Sequence, residues 1–373
     1  MKAPYPWKKD PNLLPDNYVA TLAMLRRTEK RLTENLDHAK TYCEQIMDME
    51  DRGVAKRLSD EEKKYSGPIF YISHYEVMKA DSKSIPCRIV LNSSAKFMNH
   101  TLNDYWVKGP DLINNLLGIL LRFRRNVVGV AGDISKMYHT VKISQLDQHT
   151  HRFLWRNMQE DKQPDIYVIT SVSFGDKPAG AIASLALRKT AELHSVISPV
   201  AAQTIIDNSY VDDIVDSFDD SVIANEITKE VDEILSKGNF RIKEWTTSTS
   251  KKTCMKKLGI ASDDKDVDET QSKVLGVGWD TESDTLQFET KINFSVRRRK
   301  IHSEPNLTRE NIINQIPQQL TRRMMLSQVN GIFDPLGLIS PFVIRAKMML
   351  RKLTQGGADW DDPIPHVDRH SIL

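Results

Sequence analysis

Between about Asp16 and Arg57 apolar residues return every three or four positions. Leu22, Leu25, Leu32 and Leu36 trace one stripe, with the polar run RRTEKR facing the other way. That period predicts one or two helices, stopped at MEDRG. The pattern then shortens. PIFYISHYEVMK and CRIVLNSS are runs of Ile, Val, Tyr and Phe that predict two strands around the turn-like ADSKSIP. Asp111 to Arg122 predicts an amphipathic helix, and NVVGVAGDI a buried strand with Asp133 at its end. HRFLW and DIYVITSVS predict two further strands joined by the polar RNMQEDKQP. FGDKPAGAIASLALRKTAELH opens with Gly and Pro and becomes an Ala/Leu helix. AAQTIIDNSYVDDIVDS predicts two strands meeting at a turn, and VIANEITKEVDEILSKG a helix stopped by Gly238. VLGVGWD and TLQFETKI predict a hairpin. The C-terminal part reads as helical, broken at DPLGLISP and ending with FVIRAKMMLRKL before a loop-like tail. Strand and helix alternate irregularly, without a regular βαβα cadence, so the expected class is α+β and not doubly wound.

Composition adds little until charge is mapped along the chain. At 373 residues and 40% hydrophobic, the chain can bury one large core or two modest ones. Net charge is only +2, but Asp207 to Asp220 holds six Asp and no Lys or Arg. Lys291 to Lys352 holds twelve Lys and Arg against three acids. An acidic centre with a basic C-terminal region suits a metal site beside a phosphate-binding surface, or simply two solvated surfaces of opposite sign. Cys43, Cys87 and Cys254 are widely spaced, which points away from a disulfide framework or zinc site and toward a reducing, intracellular setting, cytoplasmic or nuclear. No apolar run approaches the ~18 residues that a membrane span needs, so no membrane partner is expected.

Three carboxylates end or interrupt apolar strands: Asp133 in VVGVAGDISKMYHTV, and Asp212 with Asp213 in SYVDDIV. An isolated buried charge is costly, and a divalent cation is the usual remedy. Mg²⁺ prefers oxygen ligands and typically takes one or two protein carboxylates, leaving its other positions to water and phosphates. Adjacent strand residues face opposite sides, so Asp212 and Asp213 can serve one site only where a turn breaks the alternation. The competing reading is an acidic surface loop, and Asp216, Asp219 and Asp220 read as plain solvated carboxylates.

Taken together, these pieces resemble a reverse transcriptase. YVDD between apolar strands resembles the family's active-site hairpin, and GDISKMYHTV the strand carrying the other catalytic Asp. MKADSKSIPCRIV resembles the fingers hairpin, VSFGDKPAGAIASLALRKTAEL the Gly-containing segment that supports template and nucleotide, and VLGVGWD the primer grip. RIVLNSSAK, LNDYWVKGPDL, YVDDIVDS and LTRRMMLSQVNGIFDPLGLISPFVIRAKMML are similar to the Pol polyproteins of BEL/Pao-type retrotransposons, from about Tyr5 to Pro365.

The resemblance implies a right-hand polymerase fold of fingers, palm and thumb, with an antiparallel palm sheet backed by helices. It implies an N-terminal helical segment (1–65), fingers and palm (66–290), a helical thumb or connection region (291–355) and a tail (356–373). Asp133, Asp212 and Asp213 would hold two Mg²⁺ ions, with Mn²⁺ as a substitute, for RNA-directed DNA synthesis. Lys79 and Arg88 would bind the deoxynucleoside triphosphate, Tyr138 would exclude the ribose 2′-hydroxyl, and Gly175 would allow close backbone approach. Tyr210, Val211, Val277 and Gly278 would meet the primer of an RNA or DNA template, and Lys243 is a candidate general acid. An RNase H domain would be expected beyond the point where the resemblance fades, after Pro365. The alternative is an inactive or domesticated remnant that only binds nucleic acid.

Overall fold

Two helices open the chain along the predicted stripe, Tyr18–Thr33 and Leu36–Asp51. The computed structural model describes residues 1–78, 87–248, 271–288, 316–357 and 359–364. Asn35 splits the helical stretch in two, its side chain accepting from the N–H groups of Asp37 (3.1 Å) and His38 (3.2 Å). Leu25 and Leu32 are buried, whereas Leu36 opens the second helix and is 78% exposed. Arg57 belongs not to a helix but to the short strand Ala55–Arg57.

The described residues fall into two compact units. The first comprises Met1–Asn114, Gly132–Ile214 and Asn225–Trp245. In it, strands Ser73–Met78 and Cys87–Asn92 pair antiparallel, with His74 opposite Leu91 and Met78 opposite Cys87. The two N-terminal helices pack on this pair. Asn17 clamps the approach by accepting from Tyr71 N (2.9 Å) and donating to Tyr71 O (2.7 Å). His74 is buried between Tyr42 Oη (2.5 Å) and the Leu154 carbonyl (2.8 Å), a structural role. Ala55–Arg57, Asp165–Ile169 and Arg152–Trp155 form a three-stranded antiparallel sheet, in that order. A bidentate ion pair, Arg156 with Glu29 (2.8 and 2.6 Å), ties the end of this sheet to the first helix.

Two expectations are corrected here. AAQTII is not a strand: Pro199–Asn208 is a helix, started by Ser198, whose hydroxyl accepts from Ala201 N (3.1 Å), with Pro199 at its first position. Its apolar run suits a buried helix as well as a strand, and the cap decides. The helix expected from Asp111 begins instead at Leu116 and runs to Phe123, because Asn115 caps it through Gly118 N (2.9 Å). Asn114 meanwhile donates to the carbonyls of Ile206 (2.8 Å) and Ser209 (2.9 Å), bracing the start of the YVDD hairpin.

The second unit comprises Asn115–Ala131, Val215–Ala224 and Thr246–Leu373. The expected hairpin of VLGVGWD with TLQFETKI forms between Val277–Asp280 and Thr285–Gln287, and VLGVGWD contains a further turn of its own. Leu275 (φ 51°) and Gly276 (φ 87°) reverse the chain between Gln271–Val274 and Val277–Asp280, and Thr285–Gln287 adds a third antiparallel strand. Trp279 is fully buried against the edge of Phe123, ring centroids 4.9 Å apart. Helices Arg322–Asn330 and Ser340–Gln355 enclose a core of Leu320, Met325, Val329, Leu350, Leu353 and Ile364. Asp216 is not solvated but only 7% exposed, Asp219 accepts from the Asn126 amide, and Asp220 caps Val222 N (2.8 Å) and Ile223 N (2.9 Å).

Candidate active site

A four-stranded sheet carries the acidic residues, in the order Ile242–Thr247, Val128–Ile134, Asp213–Phe218, Ser209–Tyr210. Tyr210 pairs with Asp213 and Ser209 with Ile214, so Val211 and Asp212 alone form the hairpin tip. Val211 has φ +56°, a region that a β-branched side chain rarely enters. This turn is the break in alternation that the adjacent carboxylates require. Asp133, Asp212, Asp213 and Lys243 all lie in the first unit.

The strand carrying Asp133 reaches the tip directly, since Ile134 N donates to Asp212 O (2.6 Å) and Ser135 N to Arg241 O (2.8 Å). Gly132 is required immediately before Asp133: a Cβ there would fall 2.8 Å from the Trp245 ring and 3.0 Å from Ile242. Lys243, on the edge strand, forms an ion pair with Asp133 at 2.5 Å. Burial raises the Asp212 carboxyl above the usual range, Asp133 adds to this, and Lys243 opposes it. Burial, then Asp212 and Asp133, pushes the Asp213 carboxyl up to about 6. The three carboxylates therefore feel one another across the tip.

Among the described residues no group of three or more His, Cys, Asp or Glu side chains is arranged to hold a metal ion. The donor chemistry nevertheless fits a hard divalent cation: the donors are carboxylate oxygens, and burial and neighbouring negative charge raise the Asp212 and Asp213 carboxyls, a cost that a bound cation would relieve. Lys243 supplies part of that positive charge at Asp133.

Tyr138 is half-buried and tilted against Phe174, ring centroids 4.3 Å apart. Burial, and after it Asp212, raises its hydroxyl pKa, so the ring stands within the field of the tip. Gly175 has φ +97°, and a Cβ there would lie 3.1 Å from the Leu91 carbonyl. Asn103 holds this loop from both sides, donating to Gly175 O (3.1 Å) and accepting from Lys177 N (2.7 Å). Asp176 anchors it from below through Tyr5 Oη (2.5 Å), His151 Nε2 (3.1 Å) and Ser93 Oγ. No local spacing signals Asn103 or Asp176, because their partners lie far away in sequence.

The remaining expected residues are more dispersed. Arg88 is exposed on the Cys87–Asn92 strand, opposite Val77. Lys79 lies outside the described residues. Val277 and Gly278 belong to the second unit, where Val277 is only 2% exposed and Gly278 pairs with Lys273 and Gln287.

Residues 321–372 match the family described as the Pao retrotransposon-like RNaseH-like domain. That match falls in the stretch that the sequence alone assigns to the thumb or connection region and the tail. No curated protein matches the chain. Among solved structures, the chain is similar to the foamy viral protease-reverse transcriptase dRH in complex with double-stranded DNA. The identity is 15% and the TM-score 0.50, over 87% of this chain and 44% of that one. It is also similar to the foamy viral protease-reverse transcriptase in complex with an RNA/DNA hybrid, at 16% identity and TM-score 0.48, over 87% and 34%. The chain thus spans less than half the length of these relatives. The first likeness shows a mixed α+β fold resembling retroviral reverse transcriptase structures. With the family match at residues 321–372, this fold supports a retrotransposon Pol region.

Proposed function

We propose that the chain is the RNA-directed DNA polymerase core of such a Pol region, with palm chemistry at the YVDD tip. The observation that carries this reading is the hydrogen bond from Ile134 N to Asp212 O, which seats the Asp133 strand against a two-residue acidic turn. Asp133, Asp212 and Asp213 would hold two Mg²⁺ ions, or Mn²⁺ in their place. When bound, these ions activate the primer 3′-hydroxyl and neutralise the triphosphate and its leaving group.

The chain's own residues divide the remaining work. Arg88, with Lys79, would grip the triphosphate of the incoming deoxynucleotide. Tyr138, braced by Phe174, would leave no room for a ribose 2′-hydroxyl. Gly175, held by Asn103, would let backbone approach the nucleotide or template. Tyr210 and Val211 would pack at the primer end, with Val277 and Gly278 gripping the primer through their backbone. Lys243 would leave Asp133 and donate a proton to the departing pyrophosphate. The similar foamy viral protease-reverse transcriptase in complex with double-stranded DNA supports a template–primer duplex as the partner.

The polymerase reading keeps the chemistry at the YVDD tip, outside the RNaseH-like match at residues 321–372. In its described part, Asp334 accepts from the N–H groups of Leu338 (3.0 Å) and Ile339 (2.9 Å), and Asp361 binds Arg323 (2.7 and 3.0 Å). Asp359 and Asp362 accept from the N–H groups of Trp360 and Asp359, both at 2.7 Å. These carboxylates are engaged in local folding. The test is Mg²⁺-dependent primer extension on an RNA template. Asp212→Asn should lower the rate by about 10²–10³-fold or more while leaving the circular dichroism spectrum unchanged. No extension by folded wild-type protein would leave the nucleic-acid-binding remnant as the better reading.

A further inference from the structure

Beside the carboxylates lies a concentration of positive charge in which the polymerase reading gives a role to Lys243 alone. Arg52, at the end of helix Leu36–Asp51, places Nε and a terminal nitrogen 2.8 and 2.5 Å from Asp48 Oδ2. The Lys136 ammonium lies 3.9 Å from that same oxygen. Lys136 is three residues beyond Asp133, in a left-handed backbone conformation (φ 51°). Lys142 fixes the turn after Arg52 by donating to the Gly53 carbonyl (2.7 Å). Lys243 completes the run on Asp133 itself. Three of these cations, Arg52, Lys136 and Lys243, thus face two carboxylates, Asp48 and Asp133.

The crowding registers on the groups themselves. Burial lowers the Lys136 pKa, and Arg52 and Lys243 push the same way while Asp48 opposes. His139 falls to about 4 through burial and the charges of Arg52, Lys136 and Lys142, so it stays neutral. Its buried Nδ1 has no hydrogen-bond partner among the described residues. The side chains of Arg52, Lys136 and Lys243 keep 27%, 43% and 58% exposure, so a ligand can reach them. Cations packed this closely with partial compensation make an anion site, and an Arg fork beside a Lys suits phosphate oxygens.

We propose that Lys136 and Arg52 bind the outer phosphates of the incoming deoxynucleoside triphosphate and the pyrophosphate it leaves, from the side of the N-terminal helix. The inference rests on the polymerase reading for its substrate. Asp48 sets the affinity: it holds both cations in place and weakens their pull, so that pyrophosphate can depart.

The test is calorimetric titration of the full chain with inorganic tripolyphosphate in EDTA-containing buffer, paired with steady-state primer extension. Lys136→Gln and Arg52→Gln should each weaken tripolyphosphate binding about tenfold or more, the loss of a charge-assisted contact. They should raise the KM for deoxynucleotide by a similar factor at unchanged kcat, while Lys136→Arg retains binding. Asp48→Asn should tighten binding about threefold, a direction that a merely structural acid would not produce. Unchanged tripolyphosphate binding in both Gln variants, at unchanged melting temperature, overturns the proposal. So does a loss confined to template–primer affinity, which would assign the cations to the nucleic-acid backbone. If wild type fails to extend primers yet binds tripolyphosphate through Lys136, the anion site stands and the polymerase reading falls. If extension is normal and Lys136→Gln leaves KM unchanged, the reverse holds.

Discussion

Asp213 offers a direct way to weigh site chemistry against stability. Its carboxyl is displaced from an ordinary 3.8 to about 6, by burial first and then by Asp212 and Asp133. Below pH 3.8 both folded and unfolded chains carry the proton. Between 3.8 and about 6 the folded chain holds a proton that the unfolded chain has released, so stability falls as pH rises through this window. Above it the loss is complete. A shift of this size corresponds to about 3 kcal/mol at ~1.4 kcal/mol per unit. The carboxylate is only partly buried, and solvent screening reduces this to about 1–2 kcal/mol. Asp213→Asn keeps the shape and removes the charge. In EDTA at pH 8 it should therefore unfold at higher urea than wild type, by about 1–2 kcal/mol at unchanged slope. Near pH 3.5 the two proteins should coincide. Added Mg²⁺ should stabilise wild type and narrow the gap at pH 8, because a cation that binds only the folded state shifts the equilibrium toward it. An Asn variant less stable than wild type at pH 8 would refute the reasoning, since the tip would then depend on the carboxylate for folding.

Two further outcomes follow from contacts in the first unit. Glu29→Gln leaves the buried Arg156 guanidinium without its charge partner and should cost about 3–5 kcal/mol in urea unfolding. Glu29→Leu with Arg156→Met should recover most of that loss, and a double variant as unstable as the sum of its parts would count against the account. Tyr138→Val should open space beside Phe174 and raise the kcat/KM for ribonucleotides about tenfold to a hundredfold relative to deoxynucleotides. An unchanged ratio in primer extension with mixed nucleotides would remove Tyr138 from the selectivity.

Several strands, one of them in the site's own sheet, were legible because their residues permit little else. Val128–Ile134, Arg152–Trp155 and Asp165–Ile169 are rich in branched and aromatic residues, and polar or turn segments flank them. The acidic pair could be placed on a hairpin for the same reason, although the left-handed Val211 that turns it has no sequence signature. AAQTII was ambiguous by period alone, and the informative residues were Ser198 and Pro199, outside the apolar run. Asp216 reads as one more member of an acidic stretch, yet strand geometry sends it inward. The cationic run was hidden for a different reason. Asp48, Arg52, Lys136 and Lys243 come from three separate stretches, and only tertiary packing puts them together.

The two-residue tip makes chain length as decisive as chemistry. Tyr210 and Asp213 are already paired, so the loop between them has no slack to absorb an added or lost residue. One extra codon there would shift the register and turn every side chain from Asp213 to Phe218 to the opposite face of the sheet. A copy that keeps all three aspartates but has gained a residue within this tip is therefore expected to be as inert as one that has lost an aspartate.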